Sequence, residues 1–519
     1  MISTKLFLSG FFLGITGILA GCSTKHLSTS KPVYLPDQIQ EVSGDHGQTL
    51  GKNSSLLVGL KPYLGREKIG LKSAQELRLK SAGKLLILED ATGLLHKSLE
   101  INLAWRKVPL LTPKKLERQV IGPFASFESA ERLALKLRKK GFSAVIAHPQ
   151  AWEIWVPKEV QLPQGISALS WEKTLKHEVK PVLKGVSGEL LLTGPLRIEA
   201  PDGLQLKNGV FMGPFWLKAD AYGSWTLVEE VPLERYLLGV VPHEIGSSAP
   251  SAALAAQAIL ARTWALANSH RFDLDGYHLC SDTQCQVYKD PRQASQSVKG
   301  AITNTAGQYL SWQNKPIHAV YHASNGGVMA SATEAWSMNS VPYLRTKLDG
   351  SKNWTDSFVL PLKKNSTLKA FLKKVDGAYG KSHSRFRWVR TFNAEKLKKA
   401  LASFEDANIL PSSVKVLERG KSGRVLALEI RSKGNQVSMV LKLDQIRRVL
   451  PALPSTLFVV NELQQGIWKF SGGGFGHGAG LSQAGAIDLA LRGWKTSQIL
   501  DHYYPGSTYG ILQDLPKTP

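Results

Sequence analysis

Apolar positions recur along this chain in two rhythms. Short apolar runs at 56–60, 85–88 and 99–103 have the length and composition of strands. The same signal returns at 190–192, 215–217 and 225–228, and again at 425–430, 437–441 and 467–470. Helical spacing marks 130–137, 233–238, the Ala-rich run 252–268, and a segment from about Ser482. Residues 362–402 are Lys-rich and partly helical in pattern. No period of 20 to 50 residues repeats, which excludes a solenoid. The expected fold is α+β and multi-domain: a β-rich core with an Ala-rich helical segment beside the active groove, plus a small β-α-β module.

That module is expected at 112–160. Residues 120–124 read as a strand entering a turn, and Ser126 can cap the helix that follows, with Glu128 in its first turn. The helix ends at Lys140-Gly141, and strands follow at 142–146 and 152–156. The remaining boundaries expected are a β-rich N-terminal part at 53–111 and a core at 186–515, which belong to one region with the module inserted after 111.

The N-terminus changes the picture of where the protein works. Lys5 precedes an apolar stretch at 6–19, which then ends in Leu19-Ala20-Gly21-Cys22. The stretch is short for a membrane span and has the plan of a secretory signal. Its end resembles a lipoprotein processing box, which makes Cys22 the expected lipidation site. Residues 23–52 are rich in Ser, Thr, Pro, Gly and Gln and read as a flexible tether. The expected location is therefore the cell envelope or periplasm, with the chain anchored to the membrane as a lipoprotein. Lys and Arg number 65 against 41 Asp and Glu, a formal net charge of +24. Such an excess suits an anionic partner. Export argues against nucleic acid and favours envelope polymers or lipid headgroups.

Candidate chemistry centres on Glu244, in Val240-Val-Pro-His-Glu-Ile245 between two apolar helices. A carboxylate placed in a loop there is partly desolvated, which raises its pKa toward the range of a general acid. Cys280 and Cys285 form a lone pair in an exported chain. They read either as a disulfide or, with His278, as part of a metal site. A Gly-rich loop carries His477 between a strand and a helix. Its glycines fit a loose dinucleotide fingerprint, but no parallel β-α-β repeat surrounds them and no Gly-Lys-Ser/Thr follows. Ser324 has no Gly-x-Ser-x-Gly elbow, and the chain has no His-Glu-x-x-His helix.

Residues Gly122-Pro-Phe-Ala-Ser126, Ala130-Glu-Arg-Leu133 and Gly141-Phe142 resemble a SPOR repeat, a peptidoglycan-binding module. A longer set of motifs occurs in one order: 231–244; Ala255 to Ala265 with Gln257 and Arg262; Cys285-Gln-Val-Tyr288; and His322-Ala-Ser-Asn-Gly-Gly327. Val341-Pro-Tyr-Leu344, 454–458, Gly476-His-Gly478, Ser482-Gln483 and 502–506 complete it. Together they resemble the stage II sporulation protein D family (SpoIID/LytB, amidase-enhancer type). The resemblance implies either a peptidoglycan lytic transglycosylase or a partner that enhances a cell-wall amidase, with peptidoglycan strands and a cell-wall amidase or division proteins as the expected partners. It makes Glu244 the catalytic acid/base, and Gln257, Arg262, His322, Ser324, Asn325, His477, Ser482 and Gln483 the substrate-binding set. Some members of the family carry zinc near the groove, but Gln284 stands here where many relatives have His. No cofactor is required, and zinc at Cys280, Cys285 and His278 remains the rival of the disulfide. The core motifs supply one well-placed carboxylate, whereas water-using glycosidases employ two. A single Glu suffices if the substrate's own 6-hydroxyl attacks.

Overall fold

The computed structural model describes residues 54–67, 74–185, 188–402, 410–432 and 438–513. The expected signal, Cys22 and the tether lie outside the described residues. The protein is mixed α+β with a β-rich core, as the two rhythms predict.

Strands β1 (Ser55–Leu64), β2 (Leu77–Ser81), β3 (Leu86–Glu89), β4 (Leu95–Ser98) and β5 (Glu100–Phe124) open the described chain. Helix α1 (Phe127–Arg138) follows, then β6 (Val145–Ala147), β7 (Trp152–Val156) and β8 (Leu169–Gly185). The β half closes with β9 (Gly188–Leu191), β10 (Leu196–Glu199), β11 (Leu204–Leu206), β12 (Gly209–Phe211), β13 (Phe215–Ala219) and β14 (Trp225–Pro232). Helix α2 (Leu233–Val241) and helix α3 (Ser251–Asn268) come next, then the two-residue β15 (Leu279–Cys280).

One sheet has the order β15-β1-β14-β13-β10-β3-β4; the other runs β12-β11-β2-β5-β7-β6, with β8 alongside β5. Alternation builds them: β2 buries Leu77 and Leu79 and exposes Arg78 and Lys80. Apolar rows from both sheets meet α2 and α3 in one core. Strand β1 pairs with β14 along most of its length, which joins the first strands to the core. They share a sheet with the segment that leads into Glu244.

Strand β5 is the largest departure from expectation. It runs for 25 residues, pairing β2 at its start and β7 at its end, with β8 beside it. The expected boundary between 111 and 112 therefore falls inside one strand. Pro109 and Pro113 hide this in the sequence, because proline argues against a continuous ladder. A register shift between Pro109 and Lys114 absorbs both. The inserted β-α-β-β unit thus grows out of the core on a two-stranded ribbon. Phe127, Ala130, Ala134 and Leu137 of α1 pack on Trp152, Ile154 and Val156, and this cluster continues into Val228, Phe272 and Tyr277.

Two of the three-stranded sheets in the later half share a core. One joins Arg387–Asn393, Ile467–Gly473 and Phe458–Gln464; the other joins Pro411–Arg419, Val425–Ser432 and Ser438–Lys442. Trp388, Trp468, Leu428 and Ile430 are among the residues of their shared core. The expected Lys-rich helical region resolves into helices Asn365–Lys373 and Ala394–Ala402 with a strand between them. Among the described residues no helix is long and apolar enough to cross a membrane.

Candidate functional site

Glu244 does not sit in a loop. Helix α2 passes into a π-helical turn, Pro242–Gly246, before α3 begins. Proline is tolerated in the first turn of such a segment, and Gly246 ends it with φ +90°, a conformation that favours glycine. The wider turn places Glu244 on the wall of a cleft of about 350 Å³, within the size range of small-ligand sites.

The carboxylate is half-buried, and its Oε1 accepts a hydrogen bond from the Val287 N–H at 2.7 Å. Burial pushes its pKa above the ordinary carboxylate value, and the Val287 bond pulls in the opposite direction to a smaller extent. The motif Cys285-Gln-Val-Tyr288 acquires a physical meaning here. Gln286 donates to the Tyr321 hydroxyl at 2.9 Å and accepts from Tyr236 at 3.1 Å. Tyr288 donates to Glu229 at 2.9 Å. Neighbouring side chains therefore pin the segment whose backbone holds Glu244.

Cys280 and Cys285 are joined as a disulfide, which closes the loop leading to Val287. His278 is turned away from them: its Nδ1 accepts from the Leu57 N–H at 3.1 Å. Among the described residues no three His, Cys, Asp or Glu side chains gather as a metal site. The zinc reading of Cys280, Cys285 and His278 is therefore corrected. Sulfurs bonded to each other are not thiolate ligands, and the third candidate is engaged elsewhere.

His477 does line the cleft. Its Nε2 lies 2.8 Å from the Tyr321 carbonyl, and its Nδ1 accepts from the Ala479 N–H. Those partners fix a neutral tautomer with the proton on Nε2, and burial drives its pKa down to about 3. The ring rests against Trp336 at 4.5 Å and His322 at 5.1 Å between centroids. The loop needs glycine at 476, where a Cβ would meet the His322 Cβ at 2.6 Å.

The rest of the expected substrate-binding set lies behind the wall rather than on it. Arg262 is fully buried, forms a two-pronged pair with Glu234 at 2.7 and 2.6 Å, and donates to the Gln308 carbonyl. Gln257 accepts from Gln483 at 3.2 Å in the interior. Asn325 donates to Asp349 at 2.6 Å, and Ser324 exchanges backbone bonds with Phe475. Ser482 caps the helix Gln483–Leu491. His322 is buried, with Nδ1 on the Ala479 carbonyl. The motifs that contain these residues build the scaffold of the groove.

The cleft has walls that the motifs did not announce. Trp264, Arg271, Trp336, Asp444 and Arg448 line it, and so do Ser126, Phe127, Glu128 and Trp152 of the inserted unit. Asp444 precedes the short helix Gln445–Val449; burial pushes its pKa up to about 6. Trp264 lies inside the 255–265 motif, two residues beyond the buried Arg262. No sequence signal places 125–128 or 444–448 at the site, since their proximity is purely tertiary.

Residues 221–312, which carry Glu244, the disulfide and Val287, match the stage II sporulation protein family. This segment of the chain is thus similar to the SpoIID family, in agreement with the motifs between 231 and 288. Residues 330–480, which carry Trp336, Asp444 and His477, match a domain of unknown function, DUF8618. The chain is 29% identical over 308 residues to stage II sporulation protein D of Bacillus amyloliquefaciens, covering 54% of this chain and 74% of the relative. It is 29% identical over 294 residues to an amidase enhancer of Bacillus subtilis (strain 168), covering 52% of this chain and 40% of that protein. An uncharacterized protein of Brachyspira hyodysenteriae is 28% identical over 352 residues, covering 66% of this chain and 83% of the relative.

Proposed function

We propose that this protein is an exported, lipid-anchored lytic transglycosylase of the cell envelope. It would cleave the MurNAc-GlcNAc bond of peptide-stripped peptidoglycan strands and leave 1,6-anhydro ends. The observation that carries this reading is Glu244 itself, a half-buried carboxylate on a cleft wall, fixed by Val287 and held partly toward its protonated form.

The protonated Glu244 donates its proton to the glycosidic oxygen as the bond breaks, and the sugar at the cleavage point develops oxocarbenium character. The 6-hydroxyl of that same sugar then attacks its anomeric carbon. Glu244, now a carboxylate, takes the hydroxyl proton and is ready for another cycle. The attack is intramolecular, so an effective molarity on the order of 10⁵ M replaces the need to activate water. Of the two other acids lining the cleft, Glu128 is paired with Arg271, and one oxygen of Asp444 is sealed from solvent without a hydrogen-bond donor. Neutral His477 contributes shape and a packed aromatic wall to the groove.

The test is product analysis by mass spectrometry with Glu244→Gln, which keeps the shape and removes the proton. We expect anhydro ends from the wild type and none from the variant. Anhydro ends from the variant at the wild-type rate would overturn the assignment.

Similarity to an amidase enhancer supports a second reading, a non-catalytic glycan-binding partner of a cell-wall amidase. Under that reading the purified protein binds strands, creates no ends of its own, and raises the rate of an added amidase equally with Glu or Gln at position 244.

A further inference from the structure

The inserted β-α-β-β unit does not hang from the core as a separate anchor. Its first helical turn forms part of the Glu244 cleft, and at least five contacts fix it there. Arg271 of the core pairs with Glu128 of α1; the two side chains are 3% and 14% exposed. The same guanidinium lies 4.5 Å from the Phe127 ring of the unit and 4.8 Å from the Trp264 ring of the core. Glu131 meets His270 at 2.5 Å, and Arg132 donates to Ser337 at 3.0 Å. On the far side, Arg448 donates to the Ala125 carbonyl. The unit therefore touches both the SpoIID-family segment and the segment after 330, and the cleft lies where all three meet.

We propose that the Glu244 cleft is a composite glycan-binding site in which the inserted unit, through Ala125 to Glu128, supplies one wall and the 444–448 segment the opposite rim. The chemistry of the lining fits a sugar polymer. Trp264 and Trp336 line it with apolar ring edges suited to the C–H faces of sugars, and polar side chains of both the unit and the core (Ser126, Thr283, Gln284 and Asp444) line it beside them. The unit thus determines which strands reach Glu244, rather than holding the protein to the wall at a distance. This inference rests on the glycan reading of the cleft but not on catalysis.

The experiment uses the full chain and peptide-stripped glycan strands as the probe. In a Glu244→Gln background, strand binding is measured for Ala125→Trp, which adds bulk at the cleft wall, and for Leu135→Trp, on an exposed position of α1 outside the cleft. We expect Ala125→Trp to weaken binding at least tenfold and Leu135→Trp to leave it unchanged. Hydrogen exchange of the unmutated Glu244→Gln protein provides a second reading that needs no change in the unit. We expect strands to slow exchange at both 125–128 and 444–448. Wild-type binding by a folded Ala125→Trp, or no protection at 125–128, overturns the proposal. With Glu244 intact, strand binding and protection without new ends would retire the catalytic reading and leave the composite site in place. Cleavage by Ala125→Trp with unaltered KM would do the reverse.

Discussion

At the scale of single residues, protonation and burial govern the site. Glu244 has its pKa raised by burial, so the folded protein binds more protons there than the unfolded chain does, in the window above the ordinary carboxylate value. Stability contributed by that protonated form is present at low pH and is lost as pH rises through the folded pKa. Glu244→Gln should therefore melt close to the wild type near pH 4 and above it near pH 8, as thermal unfolding across pH would show. The same shift moves the alkaline limb of kcat/KM upward relative to an unperturbed carboxylate, and Glu244→Gln should lower turnover by roughly 10²-fold or more. Arg262 makes the contrasting case. Its buried pair with Glu234 gives Arg262→Met an expected cost of about 3 kcal/mol in unfolding free energy, with KM for strands unchanged in the folded protein. A selective rise in KM at full stability would return Arg262 to the substrate. The sequence could not make this distinction, because a motif records that Arg262 and Glu244 occur together without saying which of them reaches the cleft.

Elements show why some of the architecture was legible and some was not. Helices α2 and α3 follow directly from their apolar composition, and α1 follows from Ser126 and the spacing behind it. The π turn does not, since Pro242 and Gly246 read equally well as the ends of a loop. Strand β5 was hidden by its two prolines. The Cys280–Cys285 loop could be recognised as a staple, but choosing between sulfur and metal required the position of His278. Closing so short a loop contributes roughly 2 kcal/mol. Reduction should lower the melting temperature accordingly and loosen the Val287 N–H that holds Glu244, so activity should fall with it. Chelator should change neither quantity; a loss of activity on chelation, restored by zinc, would reinstate the metal site.

For the whole molecule, the decisive feature is that the inserted unit and the core share buried contacts instead of a flexible joint. Cooperative unfolding follows: calorimetry should show the 120–156 unit and the SpoIID-family segment melting in one transition. Arg271→Gln, which leaves Glu128 buried and unpaired, should cost about 3 kcal/mol and separate that transition into two. The formal charge of +24 belongs to this scale as well. Binding to anionic wall polymer should weaken as salt rises from 0.05 to 0.5 M, a range over which the Debye length shrinks severalfold.

In the proposed reaction the substrate's own hydroxyl, not water, completes the step begun by Glu244. Cleavage of peptide-stripped strands in heavy-oxygen water, followed by mass spectrometry of the new ends, tests it most directly. We expect 1,6-anhydro ends without heavy oxygen from the wild type, and no new ends from Glu244→Gln. Heavy oxygen at the new reducing ends would contradict it, and would assign the attack to a water activated by a second group in the cleft.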